Sequence, residues 1–201
     1  MTGVLAHRHL VGPVRQDAKH SQCTLPCKEV RRLSSIAPLI DGADGRGDFD
    51  FIFGAWRVRN RKLADVADPA CTQWVAFDAV SRAEPILGGL GHVDRIWAEA
   101  PPGGKPFEGF TVRQFDPADR VWRIWWASSN RPGHLDPPVQ GRWTGGVGKF
   151  CCEDTVNGHP VRVRFEWTNP GRSTARWEQA FSHDGGISWD VNWIMELTRT
   201  E

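Results

Sequence analysis

The stretch Val161-Arg162-Val163-Arg164-Phe165-Glu166-Trp167 alternates apolar and charged side chains without a break. In an extended chain successive side chains point to opposite faces. This order therefore puts Val161, Val163, Phe165 and Trp167 on one side and Arg162, Arg164 and Glu166 on the other. A helix would scatter both sets around its circumference. The stretch is a strand with one buried and one wet face. Asn157-Gly158 before it and Asn169-Pro170-Gly171 after it carry the turn chemistry that bounds it.

The same period of two extends in both directions. Towards the carboxyl end, Ser173 to Phe181 and Ile187 to Arg199 read as a hairpin across Ser182-His183-Asp184-Gly185-Gly186. Its apolar face carries Ala175, Trp177, Gln179 and Phe181 opposite Trp189, Val191, Trp193, Met195 and Leu197. Arg176, Glu178, Asn192 and Glu196 fall on the opposite face and read as a solvated, salt-bridged surface. Towards the amino end, strands are expected at Phe49 to Leu63, Thr72 to Val80, Gly91 to Ala98, Phe107 to Phe115, Val121 to Ser128, Val139 to Trp143 and Val147 to Thr155. No convincing helix separates these runs. Consecutive strands whose apolar faces have no helix to cover them either close on themselves or pack as two sheets, and closure also removes the edges. The expected fold is all-β, a single antiparallel barrel of about 8–10 strands over residues 48–201. Residues 1–47 have no sustained period and end in Asp41-Gly42-Ala43-Asp44-Gly45-Arg46-Gly47. They read as a flexible tail and linker, with a short helix expected around Lys28 to Ser35.

The 25 Lys and Arg nearly balance the 24 Asp and Glu, so the chain lacks the basic footprint of a nucleic-acid binder. No apolar run approaches the roughly 20 residues of a membrane-spanning helix, and His7, Arg8 and His9 interrupt the start. A cytoplasmic protein without nucleic-acid or membrane partners is expected, with a homodimer left open. Five cysteines at 23, 27, 71, 151 and 152 do not form a disulfide framework. His7, His9, His20, Cys23 and Cys27 match no usual zinc spacing, so neither a metal site nor a cofactor is expected. The aromatic content is 11 Trp and 10 Phe with no Tyr, and such large rings call for a deep core or a pocket.

The block Asp48-Phe49-Asp50-Phe51-Ile52-Phe53-Gly54-Ala55-Trp56 resembles the opening of a bacterial family of calycin-like barrels, a domain of unknown function. Leu87-Gly88-Gly89-Leu90-Gly91, Phe115-Asp116-Pro117, Ile124-Trp125-Trp126, Arg176 to Ser182 and Asn192-Trp193-x-Met195-Glu196 are similar to later blocks of that family. The resemblance covers nearly all of residues 48–199. It implies a lipocalin-like cup for small hydrophobic ligands, with Arg199 of the last strand packed on Trp56 of Gly54-x-Trp56. It implies no reaction, and the amino-terminal extension lies outside it.

Several residues are candidates for chemistry. His92 and Asp94 stand two apart on a strand and share a face. Directed inwards, a carboxylate beside an imidazole would raise its pKa and prepare an acid–base pair; directed outwards, both are solvated. Arg113 shares a face with Phe107 and Phe115, and Gln179 with Trp177 and Phe181. A polar group in an apolar interior must be paired by the protein or by a ligand. Arg113 suits a ligand carboxylate or enolate, or a neighbouring carboxylate of the chain. The tryptophans expected to touch a ligand are Trp126, Trp167, Trp177 and Trp193. Ser182-x-Asp184-x-Gly186-x-Ser188-Trp189 matches an Asp-box, a structural hairpin turn. The glycines of 87–91 lack the helix and Lys-Ser/Thr of a phosphate cradle and suit a bend instead. Only one of the adjacent Cys151 and Cys152 can point inwards, and no nucleophile elbow is present.

The expected function is binding of a small, largely hydrophobic molecule in a Trp-lined barrel cavity, with Arg113 or Gln179 orienting its polar end. The alternative is a cofactor-independent cyclase, isomerase or lyase acting on a hydrophobic intermediate, with His92 and Asp94 as its acid–base residues. A haem-binding barrel, as in the distantly similar nitrobindins, would need His92, His134 or His159.

Overall fold

The computed structural model describes residues 44–99 and 103–201; most of the expected tail, with its helix and its Cys/His set, lies outside these residues. Ten strands follow in chain order: β1 (Gly54–Leu63), β2 (Trp74–Ile86), β3 (Gly91–Ala98), β4 (Phe107–Asp116), β5 (Val121–Ser128), β6 (Val139–Thr144), β7 (Val147–Val156), β8 (His159–Gly171), β9 (Thr174–Ser182) and β10 (Asp190–Arg199). Each pairs antiparallel with its chain neighbour, and β1 pairs with β10, so the sheet closes as a single barrel. The stretch first quoted is the middle of β8, where Val161, Val163 and Trp167 are buried. Asn157 and Gly158, both at positive φ, make the tight turn leading into it.

Three strands depart from the expected reading. β1 begins at Gly54 and not at Phe49, because Asp50–Ile52 form a 3-10 turn that carries Phe49 into the core. β2 runs six residues past Val80, through Arg82, Glu84 and Pro85, pairing with β3 as far as Ile86 opposite Gly91. Pro85 and the charges disguise that segment, yet its inward positions Ser81 and Ala83 keep the period of two. In β10 the register shifts between Val191 and Trp193, a β-bulge that turns Asn192 inwards until it is 3% exposed. Asn192 is thus no part of the solvated surface expected for it. Arg176, Glu178 and Glu196 do form that surface, with the Arg176 guanidinium bonded to Glu178 and 3.2 Å from Glu196.

One end of the barrel, the base, is shut by the chain entering it. A 3-10 turn at Asp50–Ile52 folds Phe49 beneath the strands, where its ring packs edge-on against Trp122, Trp143 and Trp167. Trp56 donates its indole N–H to the Ile52 carbonyl at 2.7 Å, and Trp122 donates to the Gly45 carbonyl at 2.9 Å. Residues 45–48 are therefore held against the base. Arg199 lies 4.3 Å from the Trp56 ring and donates to the carbonyls of Phe51 and Phe53. This cation–π contact and its hydrogen bonds lock the first strand to the last.

At the other end, the β9–β10 turn is built by Asp184. Its carboxylate accepts from the backbone N–H groups of Ile187 and Ser188 at 3.0 Å and from the hydroxyls of Ser182 and Ser188 at 2.7 and 2.6 Å. These bonds hold the Asp184 carboxyl far below the usual range. Trp189 closes on the turn, donating to the Gly186 carbonyl at 3.1 Å. The Asp-box is a structural turn here.

Candidate functional site

The interior is packed towards the base, its lower half, and less completely filled towards the other end, its upper half, where several inward side chains are only partly buried. In the lower half β3 and β4 place His92 opposite Arg113 and Asp94 opposite Thr111, all four facing inwards. The Asp94 carboxylate accepts from the Arg113 guanidinium, and the two side chains are only 9% and 4% exposed. The guanidinium is also enclosed between the rings of Phe49 and Trp167, 5.1 and 5.3 Å from its central carbon. A buried charge needs its partner, and here each ion is the other's. The partner of Arg113 is thus a carboxylate of the chain itself.

His92 and Asp94 share a strand face, but they do not form the acid–base pair their spacing suggested. Asp94 is turned to Arg113. The His92 ring is enclosed by Phe53 and Trp122, each with its ring centre 4.7 Å away, and neither ring nitrogen has a partner among the described residues. Burial, aided by the charge of Arg113, pushes the His92 pKa down to about 3, the reverse of the expected shift. The imidazole is neutral at physiological pH.

Above the ion pair is a cavity of about 30 Å³ bounded by Ser81, Asp94, Thr111, Arg113, Trp126, Trp167 and Met195, with Ile52, Val58, Ile96 and Leu197 completing its walls. That is room for about one or two waters. Arg113 Nε and Trp167 Nε1 are buried without acceptors among the described residues. Such donors are uncommon in a finished core.

The upper half is walled by a ladder of rings meeting edge to face. Trp126 meets Trp193 at 6.2 Å, Trp193 meets Trp177 at 5.5 Å, and Trp177 meets Phe165 at 4.9 Å. The indole of Trp126 lies over Gly109, where a β-carbon would fall 1.8 Å from a ring atom, so β4 makes room for the ring by having no side chain there. Trp193 donates to Asn60 Oδ1 at 3.0 Å, and Lys62 Nζ stands 4.2 Å from the centre of its ring. Gln179 is satisfied within the protein, donating to Asn192 Oδ1 at 2.8 Å. Phe77, Trp126, Phe165, Gln179, Met195 and Lys62 all lie on inward faces, yet each is only partly buried. Solvent therefore reaches this half at some inward positions, although Trp177, Trp193 and Phe181 there are buried. Beside this end, a groove of about 370 Å³ runs between the β1–β2 loop and the Asp-box turn, with Leu63, Val66, Trp74, Phe181 and Trp189 among its walls.

The structure brings Trp126, Trp177 and Trp193 together, places Trp167 below them against Arg113, and ties Gln179 to a bulge residue. Sequence reading passed over Asn60 and Lys62, although both continue the inward parity of Trp56 and Val58. The surplus of arginines on the outer face of β1 hid that signal. Of the two adjacent thiols, Cys152 lies on the inward face opposite Val163, and burial pushes its pKa up to about 12.

No protein-family model matches this chain, and no curated protein matches it significantly. Its own geometry shows an all-β, closed ten-stranded barrel with aromatic clusters, an architecture compatible with holding a ligand.

Proposed function

We propose that the protein binds a small, largely apolar molecule in the upper, tryptophan-lined half of the barrel, as the resemblance to calycin-like cups implies. The observation that carries this reading is the contrast between the two halves. Below, Phe49, Trp56, Trp122 and Phe150 are at most 1% exposed, which is how a barrel whose purpose is stability is filled. Above, Phe77, Trp126 and Phe165 face inwards yet stay partly accessible to solvent beside the buried Trp177 and Trp193, at a cost in hydrophobic burial that a ligand would recover. The central cavity alone is far smaller than the roughly 300 Å³ of small ligand sites, so the ligand lies above it, against Trp126, Trp177 and Trp193. Trp126 and the flexible Met195 border both spaces and would adjust to its shape.

The enzyme reading gains nothing from His92, which is neutral, enclosed by rings and not among the residues bordering the cavity. The binding reading is tested with 12-bromododecan-1-ol, whose bromine quenches indoles that it touches. Saturable quenching is expected, together with its reduction in Trp126→Phe and Trp193→Phe. Quenching that rises linearly without saturation, as for indoles in free solution, would refute the reading.

A further inference from the structure

We infer that the ligand is an amphipathic anion, an apolar chain ending in a carboxylate or similar singly charged group, and that Lys62 is the residue that anchors it. This rests on the reading of the upper lumen as a binding cup. The argument is one of charge. Among inward-facing charged residues of the described barrel, Asp94 and Arg113 neutralise each other, and Arg199, at the base, is engaged by the Trp56 ring and the carbonyls of Phe51 and Phe53. Asp154 shares the inward face of Phe150 on β7, four strands away from β1, and its carboxylate accepts from the Thr155 N–H at 2.7 Å. Lys62 has no carboxylate partner among the described residues, and its ammonium stands over the Trp193 ring.

A lysine near the end of a strand ordinarily extends its stem and puts its ammonium in water. Lys62, one residue from the end of β1, lies instead over Trp193, at the top of the ring ladder. Burial lowers its pKa, so the ammonium is short of solvation where it stands. An anion delivered there restores what water has lost, while a chain running down from it lies along Trp193 and Trp126 towards the central cavity. A neutral ligand leaves the ammonium as it was, and a cationic one meets like charge.

The test compares dodecanoate with dodecan-1-ol, both below micelle concentrations, by quenching or enhancement of tryptophan fluorescence in the full chain, in Lys62→Met and in Lys62→Arg. The inference predicts tighter binding of dodecanoate than of the alcohol by the wild type. Lys62→Met should weaken dodecanoate at least tenfold and leave the alcohol unchanged, and Lys62→Arg should restore most of the difference. If both probes bind and Lys62→Met alters neither, the anchor is refuted and the binding cup stands. If neither probe binds a folded wild type, the cup itself fails and the anchor with it.

Discussion

Replacing Arg113 with Met removes one half of the buried ion pair and leaves the Asp94 carboxylate with 9% exposure and no counter-charge. Breaking a buried pair from one side costs about 3–5 kcal/mol, because the surviving ion is left desolvated. The methionine stem keeps most of the packing between Phe49 and Trp167, so lost volume adds little. The cation–π contacts with these rings, at 5.1 and 5.3 Å, add about 1–2 kcal/mol between them. Asp94→Asn leaves the opposite ion uncompensated and should cost a similar amount. The double variant leaves no unpaired charge, and should be less destabilised than the sum of the single losses by at least ~2 kcal/mol. Urea unfolding followed by tryptophan fluorescence and far-ultraviolet circular dichroism gives the four free energies of the cycle. Additive losses, or a loss below about 1 kcal/mol for Arg113→Met, would show that the two groups do not depend on each other in the folded protein.

Other consequences follow from the same interior. The folded-state pKa of His92, about 3, lies below the unfolded value of 6.5, so the native imidazole stays neutral while the unfolded one gains a proton. Stability should therefore fall as pH drops from about 6.5 towards 3, by a few kcal/mol, and His92→Leu should flatten the pH dependence of unfolding free energy over that window. Cys152, with its pKa pushed up to about 12, should resist iodoacetamide at pH 8 in the folded protein and react once urea unfolds it, as read by peptide mass spectrometry. Gly109→Ala puts a methyl group into the Trp126 ring. It should cost about 1–3 kcal/mol and shift the tryptophan emission maximum, whereas an unchanged spectrum and melting temperature would mean that the ring does not lie there.

How much of this was legible in the sequence depended on the range of the information. The alternation at Val161 to Trp167 identifies a strand because a period of two is a local property, and turns such as Asn157-Gly158 mark where strands end. The want of any helix left closure or two packed sheets, and the contact of Arg199 with Trp56 was implied only by the resemblance to calycin-like barrels. The interior was less legible. Whether Asp94 turns to His92, two residues away, or to Arg113 on the next strand depends on register and on which partner can approach in space, and neither is written in spacing. Asn192 was placed on the wrong face because a single bulged residue inverts parity. The end of β2 was hidden by Pro85, which is tolerated where it pairs with His92 at the strand's end. Lys62 was passed over because a lysine in a strand is ordinarily an outer residue, and only its position over Trp193 shows otherwise.

The central claim, an apolar ligand held in the upper half of the barrel above a rigid base, is tested most directly by the indole N–H resonances of the 11 tryptophans during titration with dodecan-1-ol. Assignment by single Trp→Phe variants makes each resonance a local reporter. The account predicts saturable shifts for Trp126, Trp177 and Trp193. Trp56 and Trp122, whose indoles are bonded to the carbonyls of Ile52 and Gly45 in the base, should remain in place. Unmoved resonances throughout, or shifts confined to Trp56 and Trp122, would contradict it.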